Sequence, residues 1–168
     1  MRHAPASLEE YALEILGRLR SSLGDTLVSV VLFGSYARGQ AAEGSDLDIL
    51  VVSELFKGSL GSRFGLFDEI EKGLLSSAAR KRLRDMGFGT LISPVPLTPD
   101  EVKQNPPILL DVLTDGIILY DRDDFIRNHL LKLEARLKEL GARKVHLPSG
   151  KWYWDLKPDY RLGEDVEI

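Results

Sequence analysis

Two apolar runs, Leu27–Phe33 (LVSVVLF) and Leu47–Val52 (LDILVV), hold this chain to a fold built around a sheet. Each is rich in β-branched residues, halts at polar or glycine residues and is too short for a typical helix, so both are expected to be buried strands. The polar stretch from Ser35 to Ser45 between them is punctuated by glycine and is expected to be a loop. Gly34 and Ser35 therefore follow directly on one strand, and Asp46 and Asp48 open the next. Two residues apart on a strand, the two carboxylates are expected on the same face.

This spacing has chemical content. Glycine and a small hydroxyl residue at a strand end let backbone N–H groups approach a phosphate where a larger residue would obstruct it. Two carboxylates that close repel each other unless a cation lies between them, and Mg²⁺ or Mn²⁺ accepts such oxygen ligands together with waters and substrate phosphates. The pattern G-S-x10-D-x-D thus points to phosphoryl or nucleotidyl transfer, in which a metal bridges triphosphate oxygens and an incoming hydroxyl is held in line. At average residue usage it arises by chance on the order of once in several hundred chains of this size. The plainer alternative is a turn at Gly34–Ser35 with Asp46 and Asp48 capping the entry to a strand.

Composition removes several other chemistries. The chain contains no cysteine, which excludes disulfides, thiolate zinc, iron–sulfur clusters and a cysteine nucleophile. Lys and Arg number 22 against 26 Asp and Glu, a net charge of −4, so there is no basic excess for gripping duplex nucleic acid. No apolar run approaches the roughly 18 residues of a membrane span, and the N-terminus lacks the apolar core of a signal peptide. A cytoplasmic protein is the expectation. At 168 residues one compact domain is long enough to fold without staples.

Around the central motif the chain reads as alternating helices and strands. Ser7 with Glu10 forms a capping-box pattern, and Leu8, Tyr11, Ala12, Ile15, Leu16, Leu19 and Leu23 recur at helical spacing before Gly24. Ser53–Gly65 is expected to be a flexible connection and Leu66–Met86 a helix. Thr90–Val95 is expected to be an edge strand because Pro94 and Pro96 interrupt it. Thr98 with Glu101 marks another helix start, Ile108–Thr114 a short helix, Ile117–Tyr120 a final strand, and Asp124 the cap of a last helix that ends before Gly141. Residues 1–145 are expected to form the domain, and 146–168, rich in Trp and Tyr, a tail laid on the domain or on a partner.

The sequence FGSYARG followed by SDLDILV resembles the signature of the DNA polymerase β-like nucleotidyltransferase superfamily, in particular its small stand-alone members, the minimal nucleotidyltransferases. The likeness is close over Val31–Val52, and the preceding helix and the IILY strand agree in outline. It implies an α/β (α+β) fold, a small mixed β-sheet of about four to five strands backed by helices. It matches Gly34 and Ser35 to the nucleotide-binding pair, Asp46 and Asp48 to the catalytic metal-binding pair, and Arg38 to a position that meets phosphate, a plain surface arginine being the alternative for Arg38. The implied function is metal-dependent transfer of a nucleoside monophosphate from a nucleoside triphosphate to a hydroxyl acceptor, with Mg²⁺ or Mn²⁺ as cofactor. Active members carry a third carboxylate on a following strand, whereas Thr90–Val95 (TLISPV) contains no acid. Glu43, Asp68, Glu71 and Asp111 are the candidate substitutes. Without one, the alternative is a weakly active or inactive nucleotide-binding module working with a partner, as antitoxin-type members do beside a helical protein. A partner protein or a homodimer would complete the pocket of so short a chain.

Other conspicuous residues have plainer explanations. His3, His129 and His146 lack metal-ligand spacing. Asp121, Asp123 and Asp124 suit an acidic turn at a helix start, and Arg80, Lys81, Arg82 and Arg84 suit a helix C-terminus, with a phosphate or partner contact as the alternative. Trp152, Tyr153, Trp154 and Tyr160 suit packing more than base stacking.

Overall fold

The computed structural model describes residues 6–147 and 152–161. In chain order its elements are α1 (Ala6–Leu23), β1 (Leu27–Phe33), α2 (Gly34–Ala37), β2 (Leu47–Ser53), α3 (Leu60–Leu74), α4 (Ala78–Asp85), β3 (Ile92–Leu97), α5 (Pro99–Val102), α6 (Ile108–Asp115), β4 (Ile117–Asp121), α7 (Phe125–Glu139), β5 (Arg143–His146) and β6 (Trp152–Asp155). Two compact units divide the chain, residues 1–126 and 127–168.

In the first unit four strands form a mixed sheet in the order β3-β2-β1-β4. β1 runs antiparallel to β2 and β4, and β2 runs parallel to β3. A parallel pair needs a crossover, and α3 and α4 supply it. β1 and β2 are buried throughout except at Asp48, as continuous apolar runs at a sheet centre must be. β3 is an edge strand, where the missing N–H groups of Pro94 and Pro96, two residues apart, break no central ladder. The fold is the mixed α/β arrangement that the sequence implied.

One face of the sheet packs against helices. Tyr11, Ile15 and Leu19 of α1, Phe67, Ile70 and Leu74 of α3 and Leu83 of α4 join Val30, Leu32, Ile49 and Val51 in a single cluster. All seven apolar positions read from the periodicity of α1 are buried. Leu27 shares this face with Val30 because a register shift lies between Leu27 and Ser29. The alternate positions, Val31, Leu50, Phe33 and Asp48, belong to the other face, which α6 covers.

Several boundaries differ from expectation for local reasons. The Leu66–Met86 segment is two helices, because serines restart the backbone: Ser59 caps α3 by accepting from Ser62 N–H, and Ser77 caps α4 by accepting from Arg80 N–H at 3.0 Å. Part of the expected flexible connection is thus the first turn of α3. β3 starts two residues later than expected, Ser7 lies inside α1, and Gly34–Ala37 is a short helix where a loop is expected. Asp121 serves the start of α7: its Oδ1 accepts from Ile126 N–H at 3.0 Å and from the buried Ser29 hydroxyl at 2.7 Å. The Thr98–Glu101 capping box is formed as expected.

A polar network lies beneath the segment that leads into β3. Arg80, 6% exposed, pairs with Glu71 at 2.9 Å and donates to Thr90 Oγ1 at 3.1 Å, while Tyr11 donates to the Thr90 carbonyl at 2.9 Å. Glu71 also accepts the Ile92 N–H at 2.7 Å. Removing one partner of such a pair strands the other charge, so Glu71→Ala is expected to cost about 3 kcal/mol by urea denaturation. A loss below about 1 kcal/mol would mean that water screens Arg80 as it does at a surface pair.

In the second unit β5 and β6 pair antiparallel, with Lys144 Nζ 3.6 Å from the centre of the Trp152 ring. The aromatic segment is therefore partly a hairpin, whose first strand, β5, straddles the 145/146 division drawn from composition. His3 and residues 148–151 and 162–168 of the tail lie outside the described residues. Among the described residues no helix is long and apolar enough to cross a membrane.

Candidate nucleotide and metal site

The site begins where β1 ends. Phe33 is extended, and Gly34 then takes φ +72°, a left-handed conformation that turns the chain into α2. Sheet register sets Asp48 opposite Phe33. A Cβ at residue 34 would lie 2.2 Å from Asp48 Oδ2, so the carboxylate occupies the space that glycine leaves open. The backbone that was expected to approach a phosphate and the acid that was expected to hold a metal are thus in contact. Ser35, half-buried, follows in α2.

Asp46 stands just before β2 and is exposed, whereas Asp48 is half-buried. The Asp48 carboxyl is held above the usual carboxylate range, chiefly by burial. A hydrogen bond from Ser93 opposes the rise, Asp46 adds to it, Arg38 opposes it and Asp111 adds to it. These influences bring Asp46, Asp48, Arg38 and Asp111 into one electrostatic neighbourhood. Tyr36 is pushed up to about 12 by burial and by Asp46, and its hydroxyl donates to the Gly89 carbonyl.

Arg38, just after α2, forms an ion pair with Asp115 at 2.6 Å and donates to Gln40 Oε1 at 3.1 Å. Asp115 ends α6, and Asp111, four residues earlier, lies on the same side of that helix. Asp111 cannot be placed from sequence because only the packing of α6 on the sheet brings it into the electrostatic neighbourhood of Asp48. Of the others, Glu71 is committed to Arg80 and Ile92, while Glu43 and Asp68 are exposed on the loop and on α3. Ser93, in register with Asp48 on β3, stands where the resemblance called for a third carboxylate.

Among the described residues no group of three His, Asp or Glu could hold a metal by itself. Asp48 at the Gly34 turn, with Asp46 in its electrostatic neighbourhood, nevertheless suits a hard divalent ion that takes its remaining ligands from water and substrate phosphates. Burial and Lys132 lower the pKa of His129, which favours its neutral form.

Comparison with known proteins places the chain among relatives. Residues 12–163 match the family described as nucleotidyltransferase domain. A Methanocaldococcus jannaschii protein named "Putative protein adenylyltransferase MJ1305" is 33% identical over 129 residues, covering 76% of this chain and 81% of its own. MJ0604, a second protein of that organism bearing the same name, is 44% identical over 48 residues, 28% of this chain and 48% of its own. The crystal structure of a D39ED41E mutant of the toxin–antitoxin MntA-HpeT shares the fold, with a TM-score of 0.50 at 19% identity over 76% of this chain and 87% of that chain. With the family match spanning nearly the whole chain and a relative of 33% identity covered over most of its length, the protein belongs to the nucleotidyltransferase-domain family.

Proposed function

We propose that the protein transfers the adenylyl group of ATP to a hydroxyl of a protein acceptor. The observation that carries this reading is the Asp48 carboxylate packed into the turn at Gly34 with Asp46 beside it. The choice of adenylyl and of a protein acceptor is supported by the name of the relative with 33% identity. Gly34 and Ser35 receive the triphosphate, Arg38 offers it positive charge, and Asp46 and Asp48 hold Mg²⁺ or Mn²⁺. That ion, when bound, neutralises charge on the triphosphate. The acceptor oxygen forms a bond to the α-phosphorus as the bond to the bridging oxygen breaks, and pyrophosphate leaves. Asp111 is the acid best supported to receive the hydroxyl proton, since it is the remaining carboxylate that acts on Asp48.

Incubation with α-labelled ATP, Mg²⁺ or Mn²⁺ and proteins of a cell extract is expected to yield a labelled acceptor. Asp46→Ala is expected to abolish the label and Asp111→Asn to slow it about 100-fold. Label that persists in Asp46→Ala would count against the site. Ser93 at the third-acid position favours a second reading, a module that binds nucleotide beside a helical partner or a second copy without turning it over. Calorimetry showing tight magnesium-dependent ATP binding with no label on any acceptor would select it.

A further inference from the structure

The basic run of α4 is only partly explained by ion pairing. Arg80 pairs with Glu71, Lys81 with Asp85 at 2.7 Å, and Arg82 with Glu10. Arg84 is exposed and has no ion-pair partner among the described residues. It lines two cavities that share it with Arg80. One, of about 620 Å³, is bordered by Leu75, Ser77, Lys81 and Asp85, and the other, of about 340 Å³, by Phe88, Thr90 and Leu91. Their apolar walls face solvent, with Leu75 72% and Leu91 59% exposed.

The second cavity reaches the proposed site through the backbone. Leu47 donates to the Leu91 carbonyl at 2.8 Å, and a Cβ on Gly89 would lie 2.0 Å from the Ser45 carbonyl oxygen. Phe88 packs on Tyr36, ring centres 6.3 Å apart. The walls of the groove are therefore the immediate neighbours of Asp46 and α2.

We infer that the second cavity, a groove with Arg84 as its uncompensated cation and Phe88 and Leu91 as its apolar walls, holds an acidic, apolar stretch of the protein acceptor beside the hydroxyl to be modified. The inference rests on the adenylyl-transfer reading. Its charge decides the class of occupant. Glu71 and Asp85 offset Arg80 and Lys81, so a single cation is left uncompensated. A nucleic-acid backbone is gripped by several cations along a track, whereas one arginine between apolar walls suits a carboxylate flanked by apolar side chains.

The test uses the full-length protein and a fluorescent Glu–Tyr copolymer, with a Lys–Tyr copolymer and oligouridylate as competitors. The Glu–Tyr copolymer is expected to bind, and Arg84→Glu to weaken it about tenfold, as reversal of a charge facing an anionic partner does. Leu91→Asp is expected to weaken it about fivefold by burying a like charge in the same groove. Affinity for magnesium–ATP is expected to change less than about twofold in both variants, and their melting temperatures to stay near wild type, since both side chains are exposed. Copolymer binding that ignores both substitutions would overturn the inference, and so would oligouridylate binding more tightly than the copolymer with the same dependence on Arg84. If no acceptor is ever labelled yet copolymer binding still depends on Arg84, the transfer reading fails and the groove stands as a docking site. If labelling of the copolymer proceeds and is indifferent to Arg84, the groove alone fails.

Discussion

Asp48→Asn is expected to lower the proposed adenylyl transfer by about 1,000-fold or more, because the residue proposed to hold the metal loses its charge, while the metal-free protein becomes more stable at neutral pH. The second effect follows from the direction of the Asp48 shift. Its carboxyl is held above the usual carboxylate range, mainly by burial, so the folded chain favours the protonated form more than the unfolded chain does. That preference contributes stability at acid pH and is lost as the pH rises through the raised value. An ionised Asp48 is then a burden that asparagine, neutral throughout and still able to accept from Ser93, does not carry. In EDTA at pH 7.5 the variant is expected to melt about 1–3 °C above wild type, with the gap closing towards pH 4. Magnesium–ATP is expected to raise the melting temperature of wild type and not of the variant. Equal melting temperatures in EDTA at neutral pH, or retained transfer, would each contradict the role given to this residue.

The same carboxylate shows how far the sequence could be read. β1 and β2 were legible because central strands are buried on both faces and so appear as unbroken β-branched runs. α1 was legible because its buried stripe recurs every three to four residues. Strand periodicity predicts Asp46 and Asp48 on one strand, whereas β2 begins at Leu47 and only Asp48 lies in it. Asp111 was not legible, since its influence on Asp48 depends on α6 crossing the sheet face opposite α1, far away in sequence. The partner of Arg38, Asp115, was hidden for the same reason. The break between α3 and α4 was legible in principle: Ser76 and Ser77 interrupt the apolar stripe and offer a cap. The hairpin of β5 and β6 left a fainter signal, alternate tryptophans at Trp152 and Trp154 within four-residue strands too short to show a period.

The proposed metal pair and nucleotide turn meet where Asp48 packs against Gly34, and Gly34→Ala tests that coupling most directly. Two costs arise together. At φ +72° an alanine is strained by about 1–2 kcal/mol. Its Cβ, 2.2 Å from Asp48 Oδ2, also forces the carboxylate out of its place or the turn away from β2. The total is expected to be about 2–4 kcal/mol of stability, with transfer reduced beyond detection even where the protein remains folded. The steric share can be isolated, because Asp48→Ala removes the atoms that the new methyl group meets. If the contact is real, the double variant Gly34→Ala/Asp48→Ala loses only the backbone strain, and the two substitutions couple by about 1 kcal/mol or more in urea denaturation. Strict additivity would mean that the side chain of residue 48 does not pack into the turn, and the proposed union of phosphate cradle and metal ligand would lose its physical basis.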